Sequence, residues 1–140
     1  MKPAWLLRPC WYILLFAVSV DLTTIGFGTI PPGGSVERRN ANHITVLTDE
    51  GTAWYLKVRH SGEQPGLILS YTAWGGDGIG TPVFARMEPL DSVAYTAGFS
   101  ERSNAPAGNR ITLGYKLQAV PDAAAGARTW VVTYTLTETL

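Results

Sequence analysis

Three stretches of this sequence alternate apolar and polar residues with a period of two, and that pattern excludes most folds. In "TAWYLKVRH" (52–60), Trp54, Leu56 and Val58 fall on one face, and Tyr55, Lys57 and Arg59 on the other. In "RITLGYKLQ" (110–118), Ile111, Leu113, Tyr115 and Leu117 alternate with Thr112, Gly114, Lys116 and Gln118. In "TWVVTYTLTETL" (129–140), Trp130, Val132, Tyr134 and Leu136 oppose Val131, Thr133, Thr135 and Thr137. A period of two is the mark of a half-buried β-strand. A helix fails for the last stretch, because threonine and valine are poor helix formers and good strand formers. Past Leu136 the inward register meets Glu138. The strand is therefore expected to be buried through Leu136 and to lie at a sheet end or edge beyond it.

Other strand signals recur between turns. "HITVLT" (43–48) is joined to 52–60 by Asp49-Glu50-Gly51, a short turn. "GLILSYT" (66–72), "PVFARME" (82–88) and "SVAYTAGF" (92–99) follow. "VDLTTIGFGTI" (20–30), before "PPGG", reads as a first strand. The best helical candidate, "PDAAAGAR" (121–128), is short and interrupted by Gly126, so at most one helical turn is expected there. Fifteen Gly and nine Pro supply turn residues for this many strands. The pattern predicts an all-β protein: an immunoglobulin-like antiparallel β-sandwich of seven or eight strands, with loops at 31–42, 73–81 and 100–109.

The first twenty residues are of a different kind. Lys2 and Arg8 precede "CWYILLFAVSV" (10–20), which is apolar apart from Ser19. A basic segment followed by a short apolar run is a secretory signal. The run is too short for a helix that crosses a bilayer, which needs about 20 residues; extended back to Pro3 it is long enough for a retained anchor, the alternative, but then includes Arg8. Small residues at Ala17 and Ser19 place cleavage near Ser19/Val20, leaving 20–140 as a single domain. The leader would take with it Cys10, the sole cysteine, so the mature fold would have no disulfide and rest on core packing. Without Lys2 and Arg8, nine basic residues face eleven acidic ones. Such a balance gives no support for nucleic-acid binding. Charged residues are 16% of the chain, below the quarter or so usual in soluble proteins.

Chemical motifs are sparse. "WGGDGIGTP" (74–82) is rich in glycine, but a strand rather than a helix follows it and no Lys-Ser/Thr pair is present, so a flexible hairpin loop is expected in place of a phosphate cradle. His43 and His60 sit at strand ends without a converging third ligand. Asp49, Glu50, Asp77 and Asp91 do not form a regular calcium loop. No Gly-x-Ser-x-Gly is present, and the acids fall mostly in turns, so the chain is not read as an enzyme and no cofactor is expected. Trp54 and Trp130 belong to apolar strand faces, whereas Trp74 borders the glycine-rich loop. Trp74 and Asp77 are therefore the candidate contacts for a ligand or partner.

The order of "IGFGTIPPGG", "ITVLTDEGTAWYLKV" and "YKLQAVPDAAAGARTWVVTYTLT" resembles small secreted bacterial β-sandwich proteins, and the closing part is similar to spore coat protein U-like domains and fimbrial subunits. The resemblance implies a secreted or cell-surface structural subunit, of a pilus, coat or filament, without catalysis. Such a subunit would self-associate, or join another surface protein, by adding a strand to a neighbour's sheet. Leu22, Ile25 and Phe27 mark the candidate donor segment. The alternative is a non-catalytic carbohydrate- or ligand-binding module using Trp74.

Overall fold

A computed structural model describes residues 16–61 and 64–140. Eight antiparallel strands form two sheets. The strands are β1 (Phe16–Val20), β2 (Ser35–Thr48), β3 (Tyr55–His60), β4 (Leu67–Trp74), β5 (Thr81–Arg86), β6 (Ser92–Thr96), β7 (Asn109–Ala119) and β8 (Val132–Thr137). One sheet has the order β1-β2-β7-β4-β5 and the other β6-β3-β8. The arrangement is an all-β sandwich, with its core where the inner faces meet.

The alternating faces pack as their patterns require. Trp54, Leu56 and Val58 are fully buried, as are Ile111 and Leu113, with Tyr115 and Leu117 nearly so. Ile44 and Val46 of β2 and Leu69, Tyr71 and Ala73 of β4 complete the larger sheet's inner face. Trp54 stacks on Tyr95 of β6, with ring centroids 5.8 Å apart. The two sheets are also stitched along one side. Ile79 and Thr96 exchange backbone hydrogen bonds of 2.9 and 2.8 Å, and the Thr81 hydroxyl donates to Ala94 O at 2.9 Å.

Several local expectations change. Residues 20–30 are not a strand. Only Val20 belongs to one, and Gly26, Gly28, Pro31 and Pro32 break any ladder beyond it. The first strand lies earlier, at Phe16–Val20, inside the expected leader, and the expected cleavage point falls within it. Residues 1–15 of that leader lie outside the described residues. The expected loop 31–42 is shorter, because β2 already begins at Ser35. The one helical turn among the described residues is a 3-10 turn at Phe99–Arg102, whereas 121–128 is irregular.

The last strand also differs. Trp130, Val132, Tyr134 and Leu136 are half-buried, not buried through Leu136. The reason is position: β8 is an edge strand along its whole length, paired only with β3.

A second departure concerns the outer face of the larger sheet. Gly114 and Thr112 were expected to face solvent, yet both are buried, as are Ser70 and Thr72 of β4. Over Gly114 and Thr72 the cover is a bulge in β2 between Arg38 and Asn42. Its Arg39 backbone lies on Gly114, where a Cβ would come within 2.4 Å of Thr72 Oγ1 and 2.8 Å of Arg39 O. The Arg39 guanidinium then covers the Phe84 ring at 5.2 Å. On the inner side, Asn42 is buried and bonded to Tyr115 Oη at 3.2 Å, which in turn meets Tyr134 Oη at 2.9 Å across the sheets.

Trp54 is fully buried and donates its indole N–H to a carbonyl of the 3-10 turn, Glu101 O, at 3.0 Å. Replacing it by alanine is expected to cost about 3–5 kcal/mol, from lost burial and the cavity left behind. Urea unfolding of Trp54→Ala against the parent measures this.

Candidate functional site

At one end of the sandwich the glycine-rich loop 75–80, between β4 and β5, meets the 3-10 turn before β7. Between them lies Glu101, only 1% exposed. Nothing in its sequence context distinguishes it from the surface acids; burial comes from the turn that carries it, which drives the side chain back under the loop. Its Oε1 lies 2.7 Å from Tyr95 Oη and accepts Gly98 N–H at 2.9 Å. Its Oε2 accepts from Asn109 Nδ2 at 2.6 Å. Its carbonyl accepts from Trp54 and from Asn104 Nδ2 at 3.2 Å. Asn104 also donates to Val46 O, contacts Asn109 Oδ1 and accepts Thr48 N–H at 3.0 Å. No Lys, Arg or His comes within ion-pair reach of Glu101 among the described residues.

Two glycines of "WGGDGIG", Gly76 and Gly78, are explained by this carboxyl. Gly76 has φ +60°, and a Cβ there would sit 2.2 Å from Glu101 Oε2. At Gly78 a Cβ would meet Thr96 O at 2.2 Å and Glu101 Oε1 at 2.6 Å. The loop is thus a hairpin connection, as its sequence suggests, but a fastened one. It is cradled on a buried acid, and Tyr95 Oη accepts Gly78 N–H at 2.9 Å and donates to Gly75 O at 2.5 Å.

Ionisation follows the environment. Burial, above all, pushes the Glu101 carboxyl above its ordinary value, and the neighbouring Asp77 adds to this. Burial and Glu101 likewise push the Tyr95 phenol up. Asp77 is exposed, and the Ser100 hydroxyl, donating to its Oδ2 at 2.5 Å, holds its carboxyl below the usual value.

Trp74 ends β4, 48% exposed and in register with Thr112, while Asp77 is engaged with Ser100 and the Gly98 backbone. Leu22 is exposed, whereas Ile25 and Phe27 pack by their side chains against the core. Their segment is anchored at its start, where Asp21 N donates to His43 O at 3.1 Å and the Asp21 carboxylate accepts from His43 N at 2.7 Å and meets His43 Nδ1 at 2.8 Å. The bond from the His43 backbone is the main reason the Asp21 pKa is lowered. His43 is thus a partner of Asp21. His60 is at the opposite end, beside a cavity of about 240 Å3 that Trp130, Leu69, Met87, Arg86 and Glu88 also line. His60 Nδ1 has no hydrogen-bond partner among the described residues. Asp49 meets Ser103 Oγ and Asp91 meets Arg59, and no three His, Cys, Asp or Glu side chains converge among the described residues.

Compared with family models, curated proteins and solved structures, the chain matches none.

Close packing against Glu101 sets different tolerances for two glycines nearby in composition but not in space. Gly78→Ala is expected to lose about 1–3 kcal/mol, because backbone and carboxyl oxygens occupy the Cβ position. Gly26→Ala, with nothing within 4 Å, should stay within about 0.5 kcal/mol of the parent. Thermal unfolding of the two variants side by side makes the comparison.

Proposed function

We propose that the protein is a secreted structural subunit of a cell surface, coat or filament, and that copies join by strand addition. The observation that carries this reading is the edge of β2. Residues Ile44 to Thr48 are paired there with β1, in the register Phe16↔Thr48 through Val20↔Ile44. Val18 and Val20 lie opposite the buried Val46 and Ile44, on the same side of the sheet, and are themselves 45% and 43% exposed. This edge therefore accepts an apolar strand. If processing occurs at Ser19/Val20, as the leader pattern predicts, all of β1 except Val20 departs and the edge is opened. A free edge of this kind pairs readily with another chain.

The donor is the segment 20–30 of a neighbouring copy. Within its own domain this stretch is held by Asp21 and by side chains. Between Leu22 and Ile30 no backbone group makes a backbone–backbone hydrogen bond among the described residues. Asn42 Nδ2 reaches one of its carbonyls, Leu22 O, at 2.9 Å. Its backbone is thus largely available for a ladder elsewhere, with Leu22, Ile25 and Phe27 as the apolar side chains to be buried.

The protein beginning at residue 20 is expected to form filaments or oligomers at micromolar concentration, while the protein beginning at residue 16 remains monomeric because β1 occupies the edge. Light scattering and negative-stain microscopy of both compare them. A monomer from residue 20 at every concentration would sink the proposal, and so would assembly that persists when 20–30 is deleted.

A second reading, a non-catalytic ligand-binding module, is favoured by the cavity beside Trp130 and His60. At about 240 Å3 it is smaller than the roughly 300–1,000 Å3 usual for small-molecule sites, which ranks this reading second. On a glycan array, this reading expects binding that Trp130→Ala abolishes. Binding that survives both Trp130→Ala and Trp74→Ala excludes these tryptophans as its basis.

A further inference from the structure

In the Glu101 cluster a single phenol proton faces two oxygens at hydrogen-bond distance. Tyr95 Oη lies 2.5 Å from Gly75 O and 2.7 Å from Glu101 Oε1, and it accepts Gly78 N–H at 2.9 Å. A phenol has one proton to donate. With Glu101 ionised, that proton serves either Gly75 O or Glu101 Oε1, and the other oxygen faces Tyr95 Oη with no hydrogen between them. Gly75 O meets no other hydrogen-bond donor among the described residues. When the proton goes to Gly75 O, Glu101 Oε1 keeps the Gly98 N–H but stands 2.7 Å from Tyr95 Oη with no hydrogen between them, a contact of two lone-pair oxygens.

One added proton removes the conflict. Placed on Glu101 Oε1, it is donated to Tyr95 Oη, and Tyr95 donates its own proton to Gly75 O. Gly98 N–H and Asn109 Nδ2 continue to donate to the carboxyl group. Every polar atom of the cluster is then paired. We propose that Glu101 is a neutral carboxylic acid in the folded protein, and that its proton latches the 75–80 loop to the 3-10 turn through the chain Glu101 to Tyr95 to Gly75.

The surroundings agree from each side. Tyr95 faces Glu101 from β6, neutral Asn109 from β7, and Asp77 from the loop; the indole of Trp54, just before β3, reaches its backbone. Asp77 is the one charged neighbour acting on the carboxyl, and its negative charge opposes a second. The adjacent Arg102 is turned toward the Phe99 ring, 5.7 Å away. The two acids therefore separate, with the exposed Asp77 ionised and the buried Glu101 protonated.

The direction of the pH effect follows. An acid whose folded pKa is raised above its ordinary 4.5 contributes stability that is complete below 4.5 and is lost as pH rises through the folded value. Over that window, local opening of the latch increases by up to about tenfold per pH unit. The end of the sandwich that presents Ile79 and the 86%-exposed Phe99 is thus tight in acid and looser toward neutral pH.

Infrared spectroscopy and hydrogen exchange test the latch. The protein with 13C-labelled glutamate, held about one unit above the ordinary 4.5, is expected to show the carbonyl stretch of a buried protonated acid that Glu101→Gln lacks. In parallel, exchange at the Gly78 and Gly98 amides, corrected for intrinsic base catalysis, should accelerate with pH in the parent and not in Glu101→Gln. Should the variant fail to fold, the 13C carboxyl titration of the parent decides alone. All glutamates titrating at or below their ordinary value would overturn the proposal, and so would pH-independent opening at both glycines.

Discussion

A carboxyl group taken out of water with no cation beside it must be matched by hydrogen bonds, or the end of the sandwich that holds it would not close. Glu101 is matched on both oxygens and on its backbone carbonyl, and each partner belongs to a different element. Tyr95 brings in β6, Asn109 brings in β7, and Trp54 brings in the residue just before β3. Asn104 extends the network to Thr48 at the end of β2. The loop glycines complete it from above, because any larger side chain at Gly76 or Gly78 would stand where the carboxyl oxygens are. Two of the largest core side chains, Trp54 and Tyr95, therefore have their polar atoms bonded to this same cluster. Burying them requires the cluster to be intact.

The rest of the sandwich shows how a small chain handles faces and edges. The β2 bulge turns part of the outer face of the larger sheet into a second, shallow packing layer, with Gly114 and Thr72 beneath the Arg39 backbone and Phe84 beneath its guanidinium. On one side, the pair Ile79–Thr96 ties the loop before β5 to β6 and closes the gap between the sheets. On the other, β1 and β8 remain edges. The proposed strand addition at β2 turns on β1, the edge strand that the expected cleavage at Ser19/Val20 would remove.

Much of the fold was legible because strands buried on one side must alternate. The stretches 52–60 and 110–118 pointed to their own inner faces, and Trp54, Leu56, Val58, Ile111 and Leu113 are all core residues. The stretch 20–30 misled because it is rich in β-forming residues, yet local composition does not register whether a partner backbone is available. The candidate pair Trp74 and Asp77 rested on closeness in sequence. In space the loop turns between them, so that Trp74 stays on the sheet and Asp77 serves the loop itself. Glu101 escaped notice because a glutamate in a polar stretch, "SERSN", has the signature of a solvated acid.

The sequence by itself determined the class of structure: short alternating strands, abundant turn residues and too little helical pattern leave an antiparallel all-β sandwich. Its periodicity identified the inner faces of β3 and β7, since side chains two residues apart necessarily point the same way. Only the tertiary structure decided which acid is buried, why Gly76 and Gly78 lie against it, and that the outer face near Gly114 is covered. Those outcomes depend on contacts between residues 20 to 75 positions apart, such as Gly76 with Glu101 and Arg39 with Gly114. A local pattern specifies the direction of a side chain, but what waits in that direction is supplied by another part of the chain.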